Sequence, residues 1–338
     1  MELTPKQLID QLYGPPKTEG QKKLSDFKKK GVPKPEKPES LEYSELFEKL
    51  NLEQQYETRI NSLQSANILE KLSNGELGIK GINNQEYPIP TLNQIKEKIA
   101  EKEEILKTKI EQGFTQIMIV PFAMPITELA NKYKEAILKH HKNKTLRATN
   151  GDKLKLDENQ PLYVWGGYDN ANTENKIVYY PQEFNKENHQ GKTKQQLLET
   201  QLNQGWQILL IEDLPDLPAE GQGQEISGRK QLESNQAPID YLKQLQENPI
   251  YQNEQGLTPE DWLTYAITHL EETNQVIDDW DVMEVNGEIN WNLGGYFPDS
   301  DYVSCGAWNR VRRRANLGRN GSGNRYSNGG VRFGVSVI

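Results

Sequence analysis

The last fifty residues, 289–338, read INWNLGGYFPDSDYVSCGAWNRVRRRANLGRNGSGNRYSNGGVRFGVSVI, and their composition differs from that of the preceding chain. They contain no Lys, Glu, Gln or Met, although the first three are abundant earlier, and they hold 7 of the 10 Arg residues. Residues 1–288 carry 33 basic and 47 acidic side chains, a net charge of −14, whereas residues 289–338 carry 7 and 2, a net charge of +5. A specific constraint on residue type is therefore indicated for this segment.

The same segment has the pattern of folded β-structure rather than of low-complexity sequence. Its Trp, Tyr and Phe residues provide apolar anchors, and the run VRFGVSVI at 331–338 has the partial alternation of a half-buried strand. Between the anchors lie Gly, Asn, Ser, Arg and Tyr, which are turn formers and the adaptable residues of antibody-like binding surfaces. This combination predicts a recognition surface on a rigid frame. A glycine-rich loop region in an ordinary β-domain is the alternative.

Four runs in this segment resemble the variable protein of a diversity-generating retroelement: NLGGYFP at 292–298, GAWNR at 306–310, RRANL at 313–317 and GVRFGVSV at 330–337. Residues 114–281 resemble, more weakly, the body that precedes such segments. The resemblance implies an α+β chain. A C-type-lectin-like domain related to formylglycine-generating enzymes would span 114–338, with a variable region at about 300–330, and a helical N-terminal region would precede it.

In that family an error-prone reverse transcriptase rewrites template adenines. An AAC codon altered at its two adenines encodes Asn, Asp, Ser, Gly, Arg, Tyr or Val among others, but never Lys, Glu, Gln, Met or Trp. The first four of the excluded types are those missing from residues 289–338. The resemblance makes both Trp residues fixed scaffold. The absence of Thr and His, which such codons can encode, has no explanation in this mechanism.

The resemblance also implies a role for individual residues. Twelve side chains, here called the slots, would point outward and contact varied ligands: Tyr302, Asn309, Val311, Arg312, Arg314, Asn316, Gly318, Asn320, Ser322, Asn324, Tyr326 and Asn328. Eight would form the buried scaffold: Trp291, Trp308, Ala315, Leu317, Val331, Phe333, Val335 and Val337. Tyr and Arg contribute disproportionately to binding energy, so four slots are the expected hot spots: Tyr302, Arg312, Arg314 and Tyr326.

Composition limits the other functions. Hydrophobic residues make up only 34% of the 338, mean hydropathy is −0.84, and no apolar run is long enough to cross a membrane. The N-terminus lacks the pattern of a signal peptide, which predicts a cytoplasmic protein or one exported without a recognisable signal. Cys305 is the single cysteine, so neither an internal disulfide nor a cysteine-cluster zinc site is expected.

The first third of the chain is predicted to be an extension of the domain. Residues 1–40, rich in Lys, Pro and Glu, predict a flexible segment and linker; a basic docking segment at 28–30 is the alternative. Residues 41–113 have helical periodicity and predict a helical hairpin or coiled-coil arm, through which the chain would form a homo-oligomer. A helix pair packed against its own domain fits the pattern equally well.

Within the body, residues 116–120 and 206–211 predict buried strands, and 162–165 with 176–180 predict a hairpin. Residues 126–140 predict an amphipathic helix, with only one of His140 and His141 facing inward. Gly191 to Lys194 predicts a helix start rather than a phosphate-binding loop. Thr258, Pro259 and Asp261 predict the capped start of a helix with a continuous apolar stripe.

No catalytic, metal or cofactor site is expected. The chain has one cysteine and no nucleophile elbow. Asp278, Asp279 and Asp281 predict an exposed acidic turn rather than a calcium loop, and His269 is expected to be solvated. The sequence therefore predicts a non-enzymatic binding protein for varied protein ligands. The alternative is a nucleic-acid-binding C-terminal module, rich in Arg and Tyr, which the acidic body disfavours.

Overall fold

Two sheets and two long helices form the centre of the molecule in the computed structural model, which describes residues 43–200, 205–280 and 288–338. Residues 45–338 belong to one compact unit. The flexible segment predicted at 1–40, together with Asp281 of the predicted acidic turn, lies outside the described residues. Mixed helices and sheets confirm the α+β class.

Within the described ranges there are eight α-helices: α1 (Tyr43–Lys49), α2 (Leu52–Ser65), α3 (Leu92–Glu101), α4 (Glu103–Glu111), α5 (Ile126–Lys142), α6 (Lys194–Glu199), α7 (Pro238–Glu247) and α8 (Pro259–Thr273). Short 3₁₀ turns occur at Gly166–Tyr168 and Pro249–Tyr251.

The same ranges hold sixteen strands: β1 (Glu70–Lys71), β2 (Leu77–Lys80), β3 (Glu86–Pro88), β4 (Phe114–Val120), β5 (Leu162–Val164), β6 (Val178–Tyr179), β7 (Gln207–Glu212), β8 (Glu225–Ile226), β9 (Arg229–Lys230), β10 (Gln255–Gly256), β11 (Asp279–Trp280), β12 (Ile289–Phe297), β13 (Tyr302–Asn309), β14 (Arg314–Gly321), β15 (Gly329–Val331) and β16 (Phe333–Ser336).

Strands β1–β3 form a small antiparallel sheet, and β8 pairs with β9. A four-stranded sheet has the order β10-β16-β7-β4, and a larger sheet has the order β15-β12-β13-β14-β5, with β11 added to β13 and β6 to β12. The last strand, β16, pairs antiparallel with β7, with Val335 opposite Leu210. Because β7 is buried along its whole length, this pairing fixes the C-terminus in the core.

Helix α8 forms where its capping residues predicted it. The Thr258 hydroxyl accepts a hydrogen bond from the Asp261 amide at 3.1 Å, and the Asp261 carboxylate accepts one from the Thr258 amide at 2.7 Å. Helix α8 thus begins with two otherwise unpaired amides satisfied. The predicted apolar stripe is fully buried: Trp262, Leu263, Ala266, Ile267 and Leu270. Burying each large side chain contributes about 1.5–3 kcal/mol.

The prediction of an arm at residues 41–113 is wrong. Helices α1 and α2 precede the β1–β3 sheet and helices α3 and α4 follow it, and the apolar residues of all four belong to the same hydrophobic core as Phe114 and Trp308. Arg59 ties α2 to the body by donating to the Ile117 carbonyl at 2.8 Å and pairing with Glu272. The alternative, helices packed on their own domain, is what forms. The apolar face on which the homo-oligomer hypothesis depended is covered within the chain.

Of two further local predictions, the first is wrong and the second is confirmed. Strands β5 and β6 do not form the predicted hairpin, because β5 pairs with β14 and β6 with β12. The helix start near residue 194 is confirmed: Thr193 caps α6, and the buried Lys194 ammonium lies 2.7 Å from the Glu260 carboxylate. Of the predicted histidines, His140 is buried and His141 is half-buried.

Candidate ligand-binding surface

The hairpin of β13 and β14 carries most of the slots, and its alternation separates two faces. Trp308 lies opposite Ala315, and Gly306 opposite Leu317, on the face that packs into the core. Trp262 of α8 fills the space beneath Gly306: a Cβ atom there would lie 2.1 Å from Trp262 Cε2. The inner face of the hairpin therefore has no room for larger side chains.

The outer face of the hairpin is divided into a covered part and an open part. Val303 and Trp291 lie in a second hydrophobic core with Tyr241 and Leu242 of α7. Beyond that cover, side chains of β13 and β14 border an open cavity of about 390 Å³. The hairpin residues that line it include five slots, namely Asn309, Arg312, Arg314, Asn316 and Gly318. Most of these cavity-lining slots alternate with the buried scaffold residues of β14.

The eight residues expected to form the scaffold are all buried: Trp291, Trp308, Ala315, Leu317, Val331, Phe333, Val335 and Val337. The slots fall into three groups. Four are exposed, namely Val311, Arg312, Asn324 and Tyr326. Five are half-buried, namely Tyr302, Arg314, Asn316, Gly318 and Asn328. Three are buried, namely Asn309, Asn320 and Ser322.

For the three buried slots, the expectation of an outward side chain is wrong. Each uses its polar group to hold a turn. Asn309 Oδ1 accepts from the Arg312 amide at 2.8 Å, Asn320 Nδ2 donates to the Asn324 carbonyl at 3.3 Å, and the Ser322 hydroxyl donates to Asp301 Oδ1 at 2.8 Å. Such local bonds are typical of Asn and Ser at turns, so residue type alone did not distinguish them from ligand contacts.

Tyr302 differs from the other expected hot spots because its ring packs inward. The ring meets Trp165 edge-on, with centroids 5.6 Å apart. Arg319 covers it from outside, with Cζ 3.8 Å from the Tyr302 centroid and 5.2 Å from that of Trp165. Arg319 also lines the cavity. It was not among the slots, although its place in an Arg-rich strand beside slots 318 and 320 was an available signal.

Three aromatic residues outside the last fifty residues complete the cavity: Tyr163 and Trp165, in and after β5, and Trp280 in β11. Parallel pairing of β5 with β14 places Tyr163 beside Asn316. Parallel pairing of β11 with β13 places Trp280 beside Asn309. Sequence reasoning missed all three because these strand pairings join distant parts of the chain. The alternation in Leu162-Tyr163-Val164, apolar on either side of a tyrosine, was the only local signal.

The prediction of an exposed acidic turn is wrong for Asp278 and Asp279, which are buried. Asp279 forms a two-bond ion pair with Arg310, at 2.9 and 2.6 Å. Asp278 accepts from the Trp262 indole at 2.8 Å and pairs with the buried Arg332 guanidinium at 3.1 Å. Burial raises the pKa of Asp278 to about 6, and the charge of Arg332 opposes that rise. These pairs attach the C-terminal segment to the body.

The remaining arginines of the segment differ from Arg310 and Arg332 in their ion pairing. Arg312, Arg313, Arg314, Arg319 and Arg325 form no ion pair with any carboxylate of the described residues. Arg314 lies over the Tyr163 ring, 5.0 Å from its centroid, and donates to the Gln160 side-chain oxygen. The cavity is therefore bordered by guanidinium groups whose charge no carboxylate in the described part of the chain neutralises.

Reactive groups at the surface are few among the described residues. Burial raises the pKa of Cys305 to about 12, so its thiol stays protonated at neutral pH and is a poor nucleophile. His269 is half-buried, contrary to expectation, and burial lowers its pKa to about 4. The described ranges contain no group of three or more His, Cys, Asp or Glu placed to hold a metal ion.

Comparison of the chain with protein-family models, with curated proteins and with solved structures finds no match in any of the three. No helix in the described ranges is both long and apolar enough to span a membrane.

Proposed function

We propose that this chain is a non-enzymatic ligand-binding protein whose C-terminal surface is diversified by retroelement mutagenesis, on a C-type-lectin-like domain. One observation carries the proposal. Four residue types missing from 289–338, namely Lys, Glu, Gln and Met, are among those that adenine mutagenesis of an AAC codon cannot supply, and nine of the twelve slots lie exposed or half-exposed while the scaffold between them is buried.

Energetics support this division of roles. Substitutions at exposed positions change stability by about 0.5 kcal/mol or less. Truncation of a buried Trp such as Trp308 costs about 3–5 kcal/mol. A protein in which variation is confined to the first kind of position acquires new binding surfaces without unfolding. Without that confinement, most variants would be lost.

The size of an interface indicates how the slots would be used. A specific protein–protein interface involves roughly 20–30 residues on each side. The nine outward slots supply less than half of that number. Neighbours from outside the last fifty residues line the same cavity, and these three, Tyr163, Trp165 and Trp280, would supply rigid aromatic contacts beside the changing residues. Protein ligands are the expected targets for a surface of this composition.

The proposal is tested in the DNA beside the gene. We expect a near-repeat of the codons for residues 300–338 that differs from them only at template adenines, close to a reverse-transcriptase gene. A neighbouring region without such a repeat would contradict diversification, because the restricted composition would then have no mechanism.

Nucleic-acid binding is the second candidate function, and it is favoured by the five arginines that form no ion pair within the described ranges. Phosphate contacts make affinity fall steeply as salt rises. Oligonucleotide binding that is equally tight at about 50 and about 200 mM salt would contradict this candidate.

A further inference from the structure

The cavity on the outer face of β13 and β14 carries positive charge that no carboxylate of residues 43–200, 205–280 and 288–338 neutralises. Arg312, Arg314 and Arg319 line it, and no Asp or Glu is present among the described residues that do so. Arg310 and Arg332, by contrast, are paired with buried carboxylates. A concave site bordered by one sign of charge focuses its field and raises the local concentration of ions of the opposite sign. The cavity therefore favours an anionic ligand.

Two of the three guanidinium groups, those of Arg314 and Arg319, are held in place before any ligand binds. Arg314 is positioned by the Tyr163 ring and by Gln160, and Arg319 by the rings of Tyr302 and Trp165. Stacking fixes the plane of an arginine while its N–H groups remain able to form paired hydrogen bonds with a carboxylate. Less conformational entropy is then lost when the ligand arrives.

The same stacking disfavours nucleobases. A single-stranded nucleic acid binds by stacking its bases on free aromatic faces. Arginines already lie over Tyr163 and Trp165, two of the three aromatic rings that line the cavity. The exposed N–H groups at the cavity are therefore matched by carboxylates rather than by bases. A run of carboxylates on a peptide chain is the chemistry of an acidic segment.

From these contacts we infer that, in this sequence variant, the cavity binds an acidic segment of a partner protein. Arg312 and Arg314 bind its Asp or Glu carboxylates. This inference rests on the proposed ligand-binding function and specifies the ligand class of the same surface.

The test uses the full chain and fluorescence anisotropy with three labelled probes: an octapeptide of alternating Glu and Gly, its Gln counterpart, and an eight-nucleotide oligothymidine. We expect the Glu peptide to bind at least about tenfold more tightly than either other probe, since charge-assisted bonds are the stronger ones. Arg312→Gln and Arg314→Gln should each weaken Glu-peptide binding about tenfold.

Two matched controls carry the same change of charge away from the cavity. Arg313→Gln and Arg325→Gln alter exposed arginines that do not line it, and each should weaken binding by less than about threefold. Circular dichroism spectra of the four variants are compared with that of the native chain to check that each variant keeps the fold. Because Arg312 is exposed and makes no described side-chain contact, its variant tests binding even if Arg314→Gln is destabilised.

Four results would overturn the inference: equal affinity for the Glu and Gln peptides, tighter binding of oligothymidine, equal losses in the control variants, or self-association of the chain that Arg312→Gln and Arg314→Gln abolish. The last would assign the face to a second copy. If the neighbouring DNA contains the near-repeat but the chain does not prefer the Glu peptide, the acidic ligand class is wrong. The proposal of a diversified binding surface is then unaffected.

Discussion

The two faces of the β13–β14 hairpin share one backbone and differ in what a new side chain would meet. On the inner face, Trp308 and Leu317 are fully buried and Gly306 lies directly against Trp262. On the outer face, Arg314 and Asn316 border open space. A strand can therefore accommodate variation at every second residue while the residues between them pack in the core and maintain the fold.

The arginines of the same segment follow a parallel division. Arg310 and Arg332 pair with buried aspartates and attach the segment to the body, whereas Arg312 and Arg314 border the cavity without a carboxylate partner among the described residues. Identical side chains thus either attach the segment to the body or border the cavity, according to the carboxylates placed near them.

Trp308→Ala should have the largest effect on the inner face. The residue is fully buried, so truncation leaves a cavity and lowers the free energy of unfolding by about 3–5 kcal/mol. Urea denaturation measures the loss. Val311→Ala, at an exposed slot, is the control and should change stability by about 0.5 kcal/mol or less. Similar losses in the two variants would abolish the distinction between the faces.

Arg332→Met should be comparably destabilising, and its effect should depend on pH. It leaves Asp278 buried without its ion pair, at a cost of about 3–5 kcal/mol. The pKa of Asp278 is already raised from 3.8 to about 6, so the folded state binds the proton more tightly and this group's contribution to stability falls as pH rises through that window. Removing Arg332 raises the pKa further.

The loss caused by Arg332→Met should therefore be smaller at pH 5, where Asp278 is largely protonated, than at pH 8. Unfolding free energies at the two pH values measure it. In the matched background Asp278→Asn, the effect of Arg332→Met should vary less with pH, and the remaining dependence comes from Asp216 and His269, because the charge of Arg332 lowers the pKa of each. An equal loss at both pH values in the native background would show that the Asp278–Arg332 pair does not determine the effect.

Gly306→Ala adds one methyl group against Trp262 and should cost about 1–3 kcal/mol. Gly323→Ala is the control, since nothing lies within 4 Å of a Cβ atom there. A thermal midpoint lowered equally by both changes would mean that crowding beneath the hairpin does not limit residue 306.

Asn309→Ala probes a buried slot and should have the smallest of these losses, about 0.5–1.5 kcal/mol, because the Arg312 amide loses its acceptor. Asn324→Ala, at an exposed slot, is the comparison. If Asn309→Ala were as neutral as Asn324→Ala, residue 309 would belong with the interchangeable positions after all.

Much of the fold and part of the site could be predicted from the sequence. The capping residues of α8, the apolar run of β7 and the alternation at the C-terminus are local signals, and each predicted its element. The N-terminal helices were ambiguous because an apolar stripe has the same spacing whether it packs on its own domain or on another chain. The burial of Asp278 depends on Arg332, 54 residues away, and no local pattern reports that pairing.

Only the part of the cavity that comes from residues 289–338 was predictable from the sequence. Residue type and alternation marked Arg314 and Asn316, whereas Tyr163 and Trp280 reach the site through parallel pairings of distant strands. Register between such strands depends on packing across the whole sheet. The same limit explains why three slots were misplaced: Asn and Ser serve equally as turn residues and as ligand contacts.

The claim that exposed slots can be exchanged without unfolding the chain is tested by changing four of them at once and measuring the free energy of unfolding. The four changes are Val311→Ser, Arg312→Asn, Asn324→Tyr and Tyr326→Asp. We expect an unchanged circular dichroism spectrum and a change in the free energy of unfolding of at most about 2 kcal/mol, about 0.5 kcal/mol for each exposed position. A chain that unfolds, or that loses as much stability as Trp308→Ala, would contradict it.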